Sequence, residues 1–160
     1  MSGKPVDIPA ALLVEIYAHA RREFPAECCG FLVGPRGGAA VTRVRACVNA
    51  QGDALHPTAP TRDAESAYII AGDDLMTLAR SFDGPEPARV IYHSHPNGRA
   101  YFSAVDHEVA VSPWGDGPTY PVQQLVVGVN AERVIEAKLF DWDGERSAFV
   151  EVARFPGEPA

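Results

Sequence analysis

The run Pro87–Ser94, PARVIYHS, restricts the fold more than any other stretch. Val90, Ile91 and Tyr92 are consecutive apolar residues, so both faces of the strand they would form need burial. A strand of that kind is central in a sheet covered on both sides. Helices are the natural cover, and the sequence offers them. In PAALLVEIYAHARRE, Pro9–Glu23, proline suits the first helical position, and Leu12, Leu13, Ile16, Tyr17 and Ala20 fall on one apolar stripe. Pro25 ends that helix. DDLMTLARSF predicts a second helix over Asp73–Phe82. A third starts at Ser103, where Ser-x-x-Asp approaches a capping box.

The other strand signals are CCGFLVG, the loosely alternating AVTRVRACV, the pair VQQLVVGVN and RVIEAKLFDWD as a hairpin, and a final AFVEVARF. PRGG and SPWGDGPTYP read as turn and loop. Residues 49–66 are polar and marked by proline and glycine, a long loop of the kind that often carries function. The expected architecture is α/β: one domain over residues 1–160, a mixed β-sheet flanked by helices.

A chain of 160 residues is long enough to bury a core. Its net charge of −7 and pI of about 5.1 argue against a nucleic-acid surface, which needs clustered Lys and Arg. No apolar run reaches the roughly 18 residues of a membrane span. The N-terminus MSGKPVDIPA lacks the apolar core of a signal peptide. Cys28, Cys29 and Cys47 are odd in number and two are adjacent, which is no disulfide framework. A reducing cytoplasm is the expected location.

The chemistry concentrates in HSHPNGRAYFSAVD, residues 93–106. Residues two apart on a strand point to one face, so the imidazoles of His93 and His95 can converge. Zinc takes His nitrogen and Asp oxygen, and a catalytic site uses three such ligands plus a water. Asp106 supplies the third if the chain turns at Pro-Asn-Gly and returns through a helix. The helix dipole would keep that carboxylate ionised. Other zinc patterns fail: position 97 is Asn where a His-x-His-x-Asp-His site needs Asp, and neither His-Glu-x-x-His nor a Pro-Cys-x-x-Cys is present. A His-x-His pair alone also fits two strand-end surface residues with no role.

The whole pattern is more specific. His-Ser-His-Pro, seven residues to Ser103 and two more to Asp106 closely resemble the JAMM motif of the MPN+ metalloproteases. Upstream, PAECCG resembles that family's Pro-x-Glu-x-Cys-Gly. The resemblance runs from the first helix to the hairpin after Gln124. It implies a cytidine-deaminase-like MPN fold, one zinc per chain on His93, His95 and Asp106, Glu27 as general base, and Ser103 holding the developing oxyanion. Glu23 is the alternative base. It also implies a peptidase or isopeptidase that acts on a ubiquitin-like or sulfur-carrier protein with a C-terminal Gly-Gly tail. Short stand-alone members look prokaryotic. They resemble enzymes of carrier maturation, deconjugation, cysteine release or antiphage tagging, among which the sequence does not choose.

Competing readings are a metal-dependent hydrolase of small amides, a RadC-like DNA-associated protein sharing His-x-His-Pro, and a non-catalytic binding module. Cys28 and Cys29 read as small buried strand residues, His19 as structural or exposed, and His107 and His56 as surface residues. Trp114 and Tyr120 fit either a wall of the substrate groove or core anchors.

Overall fold

The computed structural model describes residues 3–51, 67–114 and 116–160. In chain order these form α1 (Ala10–Glu23), β1 (Cys29–Val33), β2 (Arg43–Cys47), α2 (Gly72–Ser81), β3 (Ala88–His95), α3 (Ala104–Ala110), β4 (Gln123–Val129), β5 (Val134–Asp143) and β6 (Ala148–Pro156). The strands make a six-stranded sheet ordered β2-β1-β3-β4-β5-β6. Only the β3–β4 pair is parallel, and α3 lies in the connection between them. The expected mixed sheet with flanking helices is therefore present.

β3 is central, as its apolar run demands, and its two faces feed different clusters. Val90 and Tyr92 pack with Leu12, Ile16 and Ala20 of α1. Ile91 packs with Phe31 and with Leu78 of α2. Each large apolar side chain so buried stabilises the fold by about 1.5–3 kcal/mol. Tyr92 crosses β1 at Gly30, where any Cβ would lie 2.5 Å from the tyrosine ring and 2.4 Å from the Arg45 carbonyl oxygen. The Tyr92 hydroxyl lies 2.7 Å from Nδ1 of buried His19, which is therefore a structural residue.

The differences from expectation sit at element ends. β2 covers only Arg43–Cys47 and is an edge strand; exposed Arg43 and Arg45 guard it against pairing with another chain. Ser103 caps α3 and lies just outside it. β1 begins at Cys29, one residue later than CCGFLVG suggests, and Glu27 stands two residues before it. Of the loop expected over 49–66, residues 52–66, with His56, lie outside the described residues. Among the described residues no helix is long and apolar enough to cross a membrane.

Candidate metal centre

His93 and His95 end β3 on the face away from α1, and both are buried. Their Nε2 atoms lie 3.2 Å apart. Asp106 meets them from α3: Oδ1 is 3.0 Å from His93 Nε2 and Oδ2 is 3.1 Å from His95 Nε2. Zinc–nitrogen bonds of about 2.0–2.1 Å put tetrahedral donors roughly 3.3 Å apart, so the three donors are spaced to share one ion. Glu27 completes the group: one ligand atom from each of the four residues lies within 4.8 Å of every other.

Local structure fixes each donor. Asp106 sits at the third position of α3 in a capping box: its backbone N–H donates to Ser103 Oγ at 3.0 Å, and Ser103 N–H donates to Asp106 Oδ2 at 2.9 Å. His95 Nδ1 lies 3.3 Å from the Arg99 carbonyl oxygen. A proton there leaves Nε2 free to bind a metal, the usual arrangement of a ligating histidine. Tyr68 stacks on His93 at 4.6 Å between ring centres, and Tyr101 lies against His95 at 4.7 Å.

The chain carrying Glu27 is tied from two sides. Cys28 N–H donates to Ser94 Oγ at 2.8 Å, and Ser94 N–H donates to the Cys28 carbonyl at 3.1 Å. Asn49 donates through Nδ2 to the carbonyls of Glu27, at 2.9 Å, and Ala67, at 3.0 Å. Its Oδ1 accepts from the N–H groups of Gln51 and Ile69.

The electrostatics call for a cation. Glu27 is only 4% exposed, and its Oε1 has no hydrogen-bond partner among the described residues. Burial, reinforced by the charge of Asp106, pushes its carboxyl up to about 8. Burial acts in the same sense on Asp106, but the charge and hydrogen bond of His93, with those of His95, outweigh it and hold that carboxyl well below the usual range. Burial pushes His93 down against the pull of Asp106. Asp106 is an ionised buried carboxylate, and a dication beside it would also favour the ionised form of Glu27, whose charge burial otherwise disfavours. The donor set and its spacing thus fit a zinc-like ion.

The remaining residues fall elsewhere. Glu23 is exposed on α1, 3.8 Å from His19. Cys28, Cys29 and Cys47 are buried free thiols outside the cluster; burial pushes Cys28 and Cys47 up to about 12 and Cys29 higher still. His107 is half-buried and stacks on Trp142. Trp114 is 86% exposed, while Tyr120 stacks on Phe82 in the α2 cluster. Ser94, Asn49 and Tyr68 were not singled out by sequence. For Ser94 the strand period carried a usable signal, since it must point opposite its two histidine neighbours. Asn49 and Tyr68 had none.

Residues 9–138 match the family described as prokaryotic homologs of the JAB domain. The chain belongs to that family. It is also 36% identical over 106 residues to proteins named CysO-cysteine peptidase from Mycobacterium tuberculosis and Mycobacterium bovis. That match spans 66% of this chain and 66% of theirs, just under two thirds of their length. Two solution structures share the JAB-family chain's fold. A protein from Salinibacter ruber aligns over 91% of this chain and 87% of its own, with a TM-score of 0.59 and 23% identity. A protein from Desulfitobacterium hafniense aligns over 90% and 87%, with a TM-score of 0.60 and 23% identity.

Proposed function

We propose that this JAB-family protein is a cytoplasmic zinc-dependent peptidase, with one ion per chain, that hydrolyses the amide bond after the Gly-Gly tail of a ubiquitin-like or sulfur-carrier protein. The observation that carries this reading is the meeting of two imidazole nitrogens and two carboxylates at one buried point. The name of the mycobacterial relatives favours a sulfur carrier as substrate and an amino acid as leaving group.

His93, His95 and Asp106 would hold the ion. Bound there, it supplies Lewis acidity to water and to the scissile carbonyl. Glu27 is the proton carrier. A buried carboxylate beside the ion is placed to take a proton from water and to give it to the departing amine. Ser103 stands one helical turn from Asp106 and lends its hydroxyl to the developing oxyanion, a contribution of about 3 kcal/mol where such donors have been removed elsewhere. Tyr68 lines an apolar cavity of about 270 Å³ with Ile69, Ile70, Val109 and Tyr120, and so offers the tail a surface next to His93. Glycine at the cleavage point lets the substrate backbone approach the buried donors closely.

Mass spectrometry of the products tests the proposal. A carrier ending in Gly-Gly plus one residue should be cut after the second glycine. A Gly→Leu change at that position should slow the reaction by about a hundredfold, equivalent to roughly 3 kcal/mol of barrier. Equal rates for both tails would move support to a hydrolase of small amides.

A further inference from the structure

Glu27 approaches the histidines from the β1 side of β3. On the other side, toward β5, a cavity of about 710 Å³ is lined by Asn97, Arg99, Ala100, Tyr101, Glu136 and Lys138. Strand register places it beside the metal donors. His95 pairs with Gly128 of β4, and Gly128 with Glu136 of β5. His93 pairs with Val126, and Val126 with Lys138. Both histidines and both β5 residues therefore share one face of the sheet. Tyr101 joins the two regions, since it lines the cavity and lies against the His95 ring.

Gly128 lets the loop after β3 descend onto this face. A Cβ there would lie 2.5 Å from the Gly98 carbonyl group and 2.7 Å from the Arg99 nitrogen. The loop backbone is held as well as seated: Arg99 N–H donates to Asn97 Oδ1 at 3.0 Å, and its carbonyl faces His95 Nδ1 at 3.3 Å.

The charges lining the cavity are unevenly spent. Lys138 is shared between Glu136 at 4.0 Å and Glu151 at 3.8 Å, and Glu136 also accepts the Ala100 N–H at 2.9 Å. The guanidinium of Arg99, exposed at the rim, has neither a hydrogen bond nor an ion pair among the described residues. In a chain of net charge −7, the site thus presents a fixed backbone and an open cation four residues beyond a metal donor.

We infer that Arg99 anchors the free α-carboxylate of a single amino acid on the leaving side of the scissile bond. This rests on the peptidase reading above and adds the chemistry of its leaving group. Hydrolysis breaks the C–N bond of R–CO–NH–R′ and adds one water, giving R–COO⁻ and ⁺H₃N–R′. When R′ is one residue, its carboxylate lies two bonds from the scissile nitrogen, where a cation at the rim of the site can pair with it. A guanidinium meets a carboxylate with two parallel N–H donors. A lysine side chain leaving from an isopeptide bond carries no carboxylate at that position.

The test uses a semisynthetic carrier extended beyond Gly-Gly by one cysteine, prepared as free acid and as carboxamide. The wild-type protein should favour the acid by about tenfold in kcat/KM, the scale of one charge-assisted hydrogen bond. Arg99→Ala should bring the acid-to-amide ratio close to one, and Arg99→Lys should restore part of it. Calorimetric binding of both carriers to Glu27→Gln protein, with and without Arg99→Ala, should show the same ratios without turnover. A preference that survives Arg99→Ala, or a wild-type protein that treats both forms alike, overturns the inference and leaves the peptidase reading standing. Cleavage of neither form removes both.

Discussion

The hydroxyl of Ser94 accepts the backbone N–H of Cys28 at 2.8 Å, so the residue between the two histidines also holds the chain that carries Glu27. Strand alternation explains the double use. His93 and His95 turn toward Asp106, while Ser94 turns to the α1 side, where Cys28 belongs to the apolar cluster. Three consecutive residues thereby set the distance between the two imidazoles and Glu27.

Ser94→Ala should retain metal yet lose most hydrolysis. It leaves a buried N–H without its acceptor, which costs about 1–3 kcal/mol and releases the segment before β1. Melting, metal analysis and kcat measured on one preparation check this. A lowered melting temperature with wild-type kcat would restrict Ser94 to stability.

Ser103 holds two posts, and they can be separated. Its Oγ caps α3 by accepting the Asp106 N–H, and its proposed catalytic use needs the same hydroxyl. Ser103→Ala should lose about 1 kcal/mol of stability together with activity. Ser103→Asp supplies another good cap with no proton to donate, so it should recover the melting temperature but not kcat. Recovery of both would make Ser103 a positioning residue for Asp106 only.

Glu27 gives a pH signature in metal-free protein. Its folded-state value of about 8 lies above the ordinary 4.5. A raised carboxyl contributes its full stability below the unfolded value, and that contribution is lost as pH rises to the folded value. Chelated wild-type protein should therefore weaken between about pH 4.5 and 8, by up to roughly 4 kcal/mol. Glu27→Gln should not follow it. Melting curves in chelator across that range decide the point, and parallel curves for the two proteins would contradict it.

Much of the frame was legible because its signals are short-range and redundant. The α1 stripe, Pro25 and the apolar centre of β3 each restrict local structure, and they agree. Glu27 and Asp106 were reached through motif spacing, while their meeting depends on sheet order and on the capping box of α3. β2 was overextended because alternation in AVTRVRACV does not reveal where an edge strand stops pairing. Asn49 was invisible for another reason. It bonds to backbone groups of Glu27, Gln51, Ala67 and Ile69, and a side chain that reads backbone leaves no trace in residue types. Arg99 looks like any loop arginine until Gly128 and the sheet register place it near His95.

The most direct test is metal stoichiometry by native mass spectrometry of wild-type, Glu27→Gln and Asp106→Ala proteins. The account predicts about one zinc per chain in the wild type and in Glu27→Gln, and a small fraction of that in Asp106→Ala. Full zinc occupancy in Asp106→Ala, or a wild-type protein that takes up no zinc when it is supplied, would contradict it.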